Sequence, residues 1–112
     1  MTSHDFYTLW GAALESADRD TYIAEWGTSS IFDPDPEQDA PDFDIVIAQL
    51  GSLWDIAHAE LSDIRKRAGM TQTQLAERFC VSRRTVEAWE QRKNCPAYTR
   101  LMMAECLGLI ER

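Results

Sequence analysis

The punctuation between residues 69 and 96 constrains this chain more than any other feature of it. Gly69 closes the run LSDIRKRAG as a C-cap signal, because glycine takes the left-handed backbone conformation freely. Thr71 then stands where a side-chain oxygen caps a helix start, just ahead of QTQLAERF. Cys80-Val81 leaves only a short connection before Ser82, a second cap, and the run RRTVEAWEQ. Arg92-Lys93-Asn94-Cys95-Pro96 reads as a loop, and AYTRLMMAECLGL as a final helix.

Two short helices joined by so tight a turn must pack at a steep angle. The residue at closest approach must be small, which suits Ala76. Apolar residues must line the inner sides, which suits Leu75, Phe79, Val81, Val86 and Trp89. This is the spacing of a helix-turn-helix, and its second helix then shows Arg83, Arg84, Glu87 and Ala88 outward.

The pattern Gly69-Met70-Thr71-Gln72-x-x-Leu75-Ala76-x-x-Phe79-x-Val81-Ser82-x-x-Thr85-Val86-x-x-Trp89-Glu90 resembles the Cro/C1 (XRE-type) helix-turn-helix family. Pro96 and the run Met103–Leu109 resemble that family's last helix, so the resemblance spans roughly residues 59–110. It implies an all-α chain with a small C-terminal domain of four to five helices. It also implies a sequence-specific transcriptional regulator, a repressor, of bacterial or mobile-element origin. Such a protein acts in the cytoplasm as a homodimer on double-stranded DNA. The alternative is an antitoxin or phage-type module whose acidic N-terminal half binds a protein while the helix-turn-helix autoregulates.

The sequence departs from the family in two places. The domain follows an acidic segment, where the better-known repressors have it at the N-terminus. The turn position, usually Gly, is Cys80. A non-glycine residue there costs about 1 kcal/mol, which leaves a tighter or differently shaped turn open.

The resemblance also assigns roles. Arg83 and Arg84 open the recognition helix, whose start enters the major groove, and arginine pairs bidentately with guanine. Thr85 contacts a phosphate or a thymine methyl, or else bonds the local backbone. Glu87 accepts from cytosine, or else pairs with Arg83 four residues earlier. Ala88 leaves room for a thymine methyl. Gln72, at a helix start, suits a phosphate, as do Arg92, Lys93 and Asn94 after the recognition helix. Arg65 and Glu90 match a structural pair of the family. Trp89 and Tyr98 are expected in the core, and Met102 and Met103 in packing.

Charge supports a divided chain. The formal net charge is −8, which by itself argues against nucleic acid as a partner. Residues 1–55 hold twelve acids and one base, Arg19, a net −11. Residues 56–112 hold ten bases and seven acids, a net +3. The basic side coincides with the helix-turn-helix pattern. The expected domains are therefore an acidic helical segment over 1–44 and the helix-turn-helix domain with its lead-in helix over 45–112.

Within the acidic half, residues 3–16 read as an amphipathic helix. Phe6, Leu9 or Trp10, Ala13 and Leu14 fall on its inner face, and Ser3 suits its cap. A second helix fits 20–26, with Gly27 ending it. Pro34, Pro36 and Pro41 then exclude regular structure from an acidic connection over 28–44. From Ile45 a helical stripe runs toward Arg67, with a break expected at Gly51 or near 59–62. Phe6, Trp10, Trp26 and Trp54 read as packing on one another in a small helical domain, with an oligomerisation surface as the alternative. The half is otherwise read as a protein-binding surface, an acidic DNA mimic, or a segment that lies over the basic helix and competes with DNA.

Enzymatic chemistry finds little footing. Cys80, Cys95 and Cys106 have no Cys-x-x-Cys spacing, and His4 and His58 lie far from them in sequence, so no zinc ligand set and no disulfide framework is expected. Cys80 and Cys106 read as small core residues. No glycine-rich phosphate loop occurs, and neither catalytic residue nor cofactor is expected. No apolar run of about 18 residues occurs and the first residues lack a basic start, so no membrane span or secretory signal is expected.

Overall fold

The computed structural model describes residues 2–32 and 42–110. These residues are helical, with no strand among them: α1 (Ser3–Glu15), α2 (Arg19–Trp26), a short 3-10 turn (Ser30–Phe32), α3 (Phe43–His58), α4 (Leu61–Arg67), α5 (Gln72–Phe79), α6 (Arg83–Arg92) and α7 (Ala97–Cys106). Most of the acidic connection read from the sequence lies outside the described residues. The chain divides into two units, one ending at His58 and the other starting at Ala59.

In the first unit α3 packs on α1 and α2. Thr2, rather than Ser3, caps α1: its hydroxyl accepts from the Asp5 amide (3.1 Å), and Asp5 accepts from the Thr2 amide (2.9 Å). Phe6, Leu9, Trp10 and Ala13 are buried, whereas Leu14, expected on the same face, is exposed. Asp18 caps α2 through the Thr21 amide (3.0 Å). Tyr22 is buried and its hydroxyl donates to the Leu9 carbonyl at 2.9 Å, so burial pushes the phenol's pKa well up. Gly27 ends α2 with an ordinary right-handed backbone (φ −61°).

α3 buries Val46, Leu50, Leu53, Ile56 and Ala57 and leaves Ile45 exposed. Its last turns close the end of α1. Trp54 Nε1 donates to the Ser16 carbonyl (3.2 Å), and His58 Nε2 donates to the Ala13 carbonyl (2.7 Å). These carbonyls are among those a helix end leaves without partners. The two rings stack with centroids 4.2 Å apart. Arg19 grips Asp55 with two bonds (3.0 and 3.4 Å) and lies across Gly51, where a Cβ would meet the guanidinium. The sequence reading grouped 45–58 with the basic domain; here that stretch builds the first unit, and the helical stripe breaks at 59–60 rather than at Gly51.

In the second unit α5 lies against α6, and α4 against both α6 and α7. Leu61, Leu75, Ala76, Val86, Cys95 and Met103 form its core, with Met70, Phe79, Val81, Trp89 and Leu107 packed around them. All four helices are followed by a left-handed residue: Gly69 (φ 69°), Cys80 (φ 55°), Lys93 (φ 55°) and Gly108 (φ 74°). In each case the next amide reaches back to the last turn: Met70 to Arg65 (3.1 Å), Val81 to Ala76 (3.0 Å), Asn94 to Trp89 (3.3 Å) and Leu109 to Ala104 (2.9 Å). The turn between α5 and α6 is therefore not reshaped. Cys80 itself takes the conformation that glycine would take.

Three packing expectations are corrected. Cys80 and Cys106 are exposed, and Cys95 is the buried thiol. Tyr98 and Met102 are 68% and 60% exposed, while Met103 is in the core. Trp89 is only half-buried, at the core's edge.

Candidate nucleic-acid interface

α6 starts at a well-made cap. Ser82 Oγ accepts from the Thr85 amide (3.1 Å) and shares a hydrogen bond with the Thr85 hydroxyl (2.8 Å). Thr85 is thus bound locally and half-buried, and Ala88 is half-buried too. Arg83 and Arg84 occupy the first two helical positions, both exposed. No acid accompanies them in that first turn. A helix N-terminus carries partial positive charge, so two cations there oppose the helix dipole by about 0.3–1 kcal/mol each. This placement works against the helix itself and suits an incoming anion.

The side chains around α6 divide by their partners. Arg83 Nε meets Glu87 at 3.0 Å, so the Arg83–Glu87 alternative read from the sequence exists as a pair, on the exposed face. Lys93 Nζ meets Glu60 at 3.5 Å. Gln72 Nε2 donates to Glu90 Oε2, while Arg65 Nε donates to Glu90 Oε1 (2.8 Å) and Arg65 Nη1 to the Met70 carbonyl (3.0 Å). The Arg65–Glu90 pair expected from the sequence is formed, and it also holds Gln72. The side chains of Arg84 and Arg92 have no hydrogen-bond or ion-pair partner among the described residues. Asn94 is exposed beside Lys93.

Counting bases overstates the outward charge. Arg65 turns inward to Glu90, and Arg100 donates to the carbonyls of Cys95 (3.3 Å) and Ala59, tying α7 to the start of the unit. Glu60 and Arg100 were not singled out from the sequence. No local spacing links Glu60 to Lys93, or Arg100 to Ala59, so no sequence signal could have found these pairs. No group of three or more His, Cys, Asp or Glu among the described residues could hold a metal ion, and none of the described helices is long and apolar enough to cross a membrane.

A packed α5–α6 pair, a tight left-handed turn and an exposed, basic start to the second helix define a helix-turn-helix. Residues 61–106 match the family described as helix-turn-helix, of the Cro/C1 type. The matched span runs from the first residue of α4 to the last of α7. The C-terminal half is therefore a Cro/C1-type helix-turn-helix domain, which supports a DNA-binding regulator of the XRE type. Neither the curated proteins nor the solved structures give a match to the chain.

Proposed function

We propose that the protein is a sequence-specific transcriptional regulator whose α6 enters the major groove of double-stranded DNA. In this reading Arg83, Arg84, Thr85, Glu87 and Ala88 face the bases, and Gln72, Arg92, Lys93 and Asn94 face phosphates. One observation carries it: Arg83 and Arg84 stand exposed at the dipole-opposed start of α6, with Arg84 unpaired among the described residues. The local geometry ranks the roles. Arg84 is free to contact a base without losing a partner. Arg83 and Glu87 act as a linked pair, and Thr85 uses its hydroxyl within the cap, leaving its methyl for apolar contact.

Gln72 and Lys93 reach phosphates by leaving carboxylates. The Lys93–Glu60 pair is exposed and worth about 0–1 kcal/mol, so that exchange is cheap, whereas Gln72 gives up the mostly buried Glu90 at a higher cost. The protein acts as a repressor by occupying its operator, as a homodimer in the cytoplasm of a bacterium or a host of its mobile elements. The family resemblance supports each of these finer points. A two-fold dimer requires an inverted repeat with half-site centres about 10 bp apart or a multiple of that.

Selection of bound sequences from random duplex DNA, with affinity recorded against salt, tests the reading. An enriched inverted repeat and a steep negative salt slope are expected. No enriched sequence, or a slope near zero, would overturn it.

A further inference from the structure

The outer side of α1 carries a surface that the packing of the first unit does not use. The buried residues Phe6, Leu9, Trp10 and Ala13 cover one side of the helix. Beside them Tyr7, Gly11 and Leu14 continue the apolar arc at four- and three-residue steps, which places them in one row. Tyr7 is 74% exposed and Leu14 37% exposed. His4, one turn before Tyr7, lies against its ring with centroids 6.3 Å apart.

Gly11 is the notable member. It sits inside a regular helix, where glycine lowers stability relative to alanine. Its φ needs no glycine, and a Cβ placed there would meet nothing within 4 Å. Neither backbone conformation nor internal packing calls for it. It leaves a notch between Tyr7 and Leu14 at which another backbone can approach closely.

Charge selects the occupant. α1 has no basic residue, and Glu15 borders the row. Residues 1–55 carry a net −11, and their one base, Arg19, is already held by Asp55. A second copy of this face would set acid against acid. We propose that the Tyr7–Gly11–Leu14 row docks a basic amphipathic helix of a partner protein. The partner's apolar stripe covers Tyr7 and Leu14, its closest turn rests on Gly11, and its flanking Lys or Arg side chains meet Glu15 and its neighbours. The row belongs to the first unit and α6 to the second, and the proposal does not rest on DNA recognition.

The test uses the full chain and a 14-residue helical peptide with Leu at one face and Lys elsewhere, against Leu/Glu and Leu/Ser counterparts, by calorimetry. The Leu/Lys peptide is expected to bind and the Leu/Glu peptide not to. Tyr7→Ala with Leu14→Ala should weaken binding at least tenfold. Gly11→Gln should do so too, filling the notch with a better helix former that keeps the fold. Phe43→Ala, an exposed apolar residue on α3, should change nothing, and DNA affinity should be unaltered in every variant. Equal binding of the Leu/Lys peptide to all variants would reduce the effect to general acidity and overturn the proposal. So would a concentration-dependent dimer abolished by Tyr7→Ala, which would make the occupant a second copy.

Discussion

Glu90 holds two helices at once: one carboxylate oxygen accepts from Arg65 on α4 at 2.8 Å, and the other accepts from Gln72 at the start of α5. Both members of the ion pair are mostly buried, with side chains 17% and 9% exposed. Glu90 itself lies near the end of α6, so the carboxylate fixes the frame in which α6 is presented. Removing one partner leaves a partly buried charge behind, and Glu90→Ala should destabilise the second unit by about 2–3 kcal/mol. All three cysteines lie in that unit, and the protection of the buried Cys95 from thiol labelling, followed through urea unfolding, reads its stability. A shift below about 0.5 kcal/mol, the size of an ordinary surface change, would mean the network is ornamental.

Arg84 invites an opposite expectation for stability and function. Its charge opposes the α6 dipole and it has no compensating partner among the described residues. Arg84→Gln should leave the second unit as stable or more stable by about 0.3–0.5 kcal/mol. The same change should weaken specific DNA binding by about 1–3 kcal/mol and relax the preference at one base position. Paired unfolding and binding measurements check this. Equal loss on specific and random DNA would assign Arg84 to phosphate instead.

The left-handed residues after the helices show what the sequence does and does not say. Gly69 and Gly108 announce their turns, because only glycine takes that backbone without strain. Cys80 and Lys93 adopt the same conformation silently, held by back-bonds from Val81 to Ala76 and Asn94 to Trp89. The chain's pattern of caps and apolar spacing was enough to read α5, the turn and α6. Cys80→Gly should therefore stabilise the second unit by about 0.5–1 kcal/mol, after allowing for the greater freedom of glycine in the unfolded chain. A loss of stability in thermal unfolding would show that Cys80 contributes contacts beyond its backbone.

Periodicity fixes that a segment is helical but not which neighbour it meets. The stripe from Ile45 is amphipathic in either unit; Tyr22, Trp54 and His58, which bind α1 to α2 and α3, make it part of the first. The final helix was legible for the same reason and misread in detail. Tyr98 and Met102 lie one turn apart on the open side of α7, while Leu101, Met103 and Ala104 face the core. Local spacing allowed either side, since no partner helix is encoded in it. Of the proposed site, the arginines were legible because their positions follow from the cap at Ser82, whereas Glu60 and Arg100 act through pairings 33 and 41 residues distant.

The three thiols differ in a measurable way. Cys95 is buried in the second unit's core, and burial pushes its thiol pKa up, with Arg100 pulling weakly the other way. Cys80 and Cys106 are exposed. Thiol labelling of the native protein near pH 8 should modify two residues quickly, with the third reacting only on unfolding. Mass mapping should place the protected thiol at Cys95, and fast labelling there would contradict the packing of α4, α5 and α7 around it.

The two aspartates that start helices in the first unit make that unit sensitive to acid. The Thr2 amide, then its hydroxyl, holds Asp5 below its usual pKa, and the Thr21 hydroxyl and amide do the same to Asp18. A carboxylate with a lowered folded pKa stabilises the fold fully above its ordinary value near 3.8. That contribution is lost as pH falls through the lowered folded values. Helicity followed by circular dichroism should therefore hold from neutral pH down to about pH 4 and decline below it. Asparagine caps a helix about as well as aspartate but does not titrate in this range. Asp18→Asn should thus match the parent at pH 7 and lose less stability between pH 4 and pH 2. If the variant declines as steeply as the parent, the acid limb comes from carboxylates other than this cap.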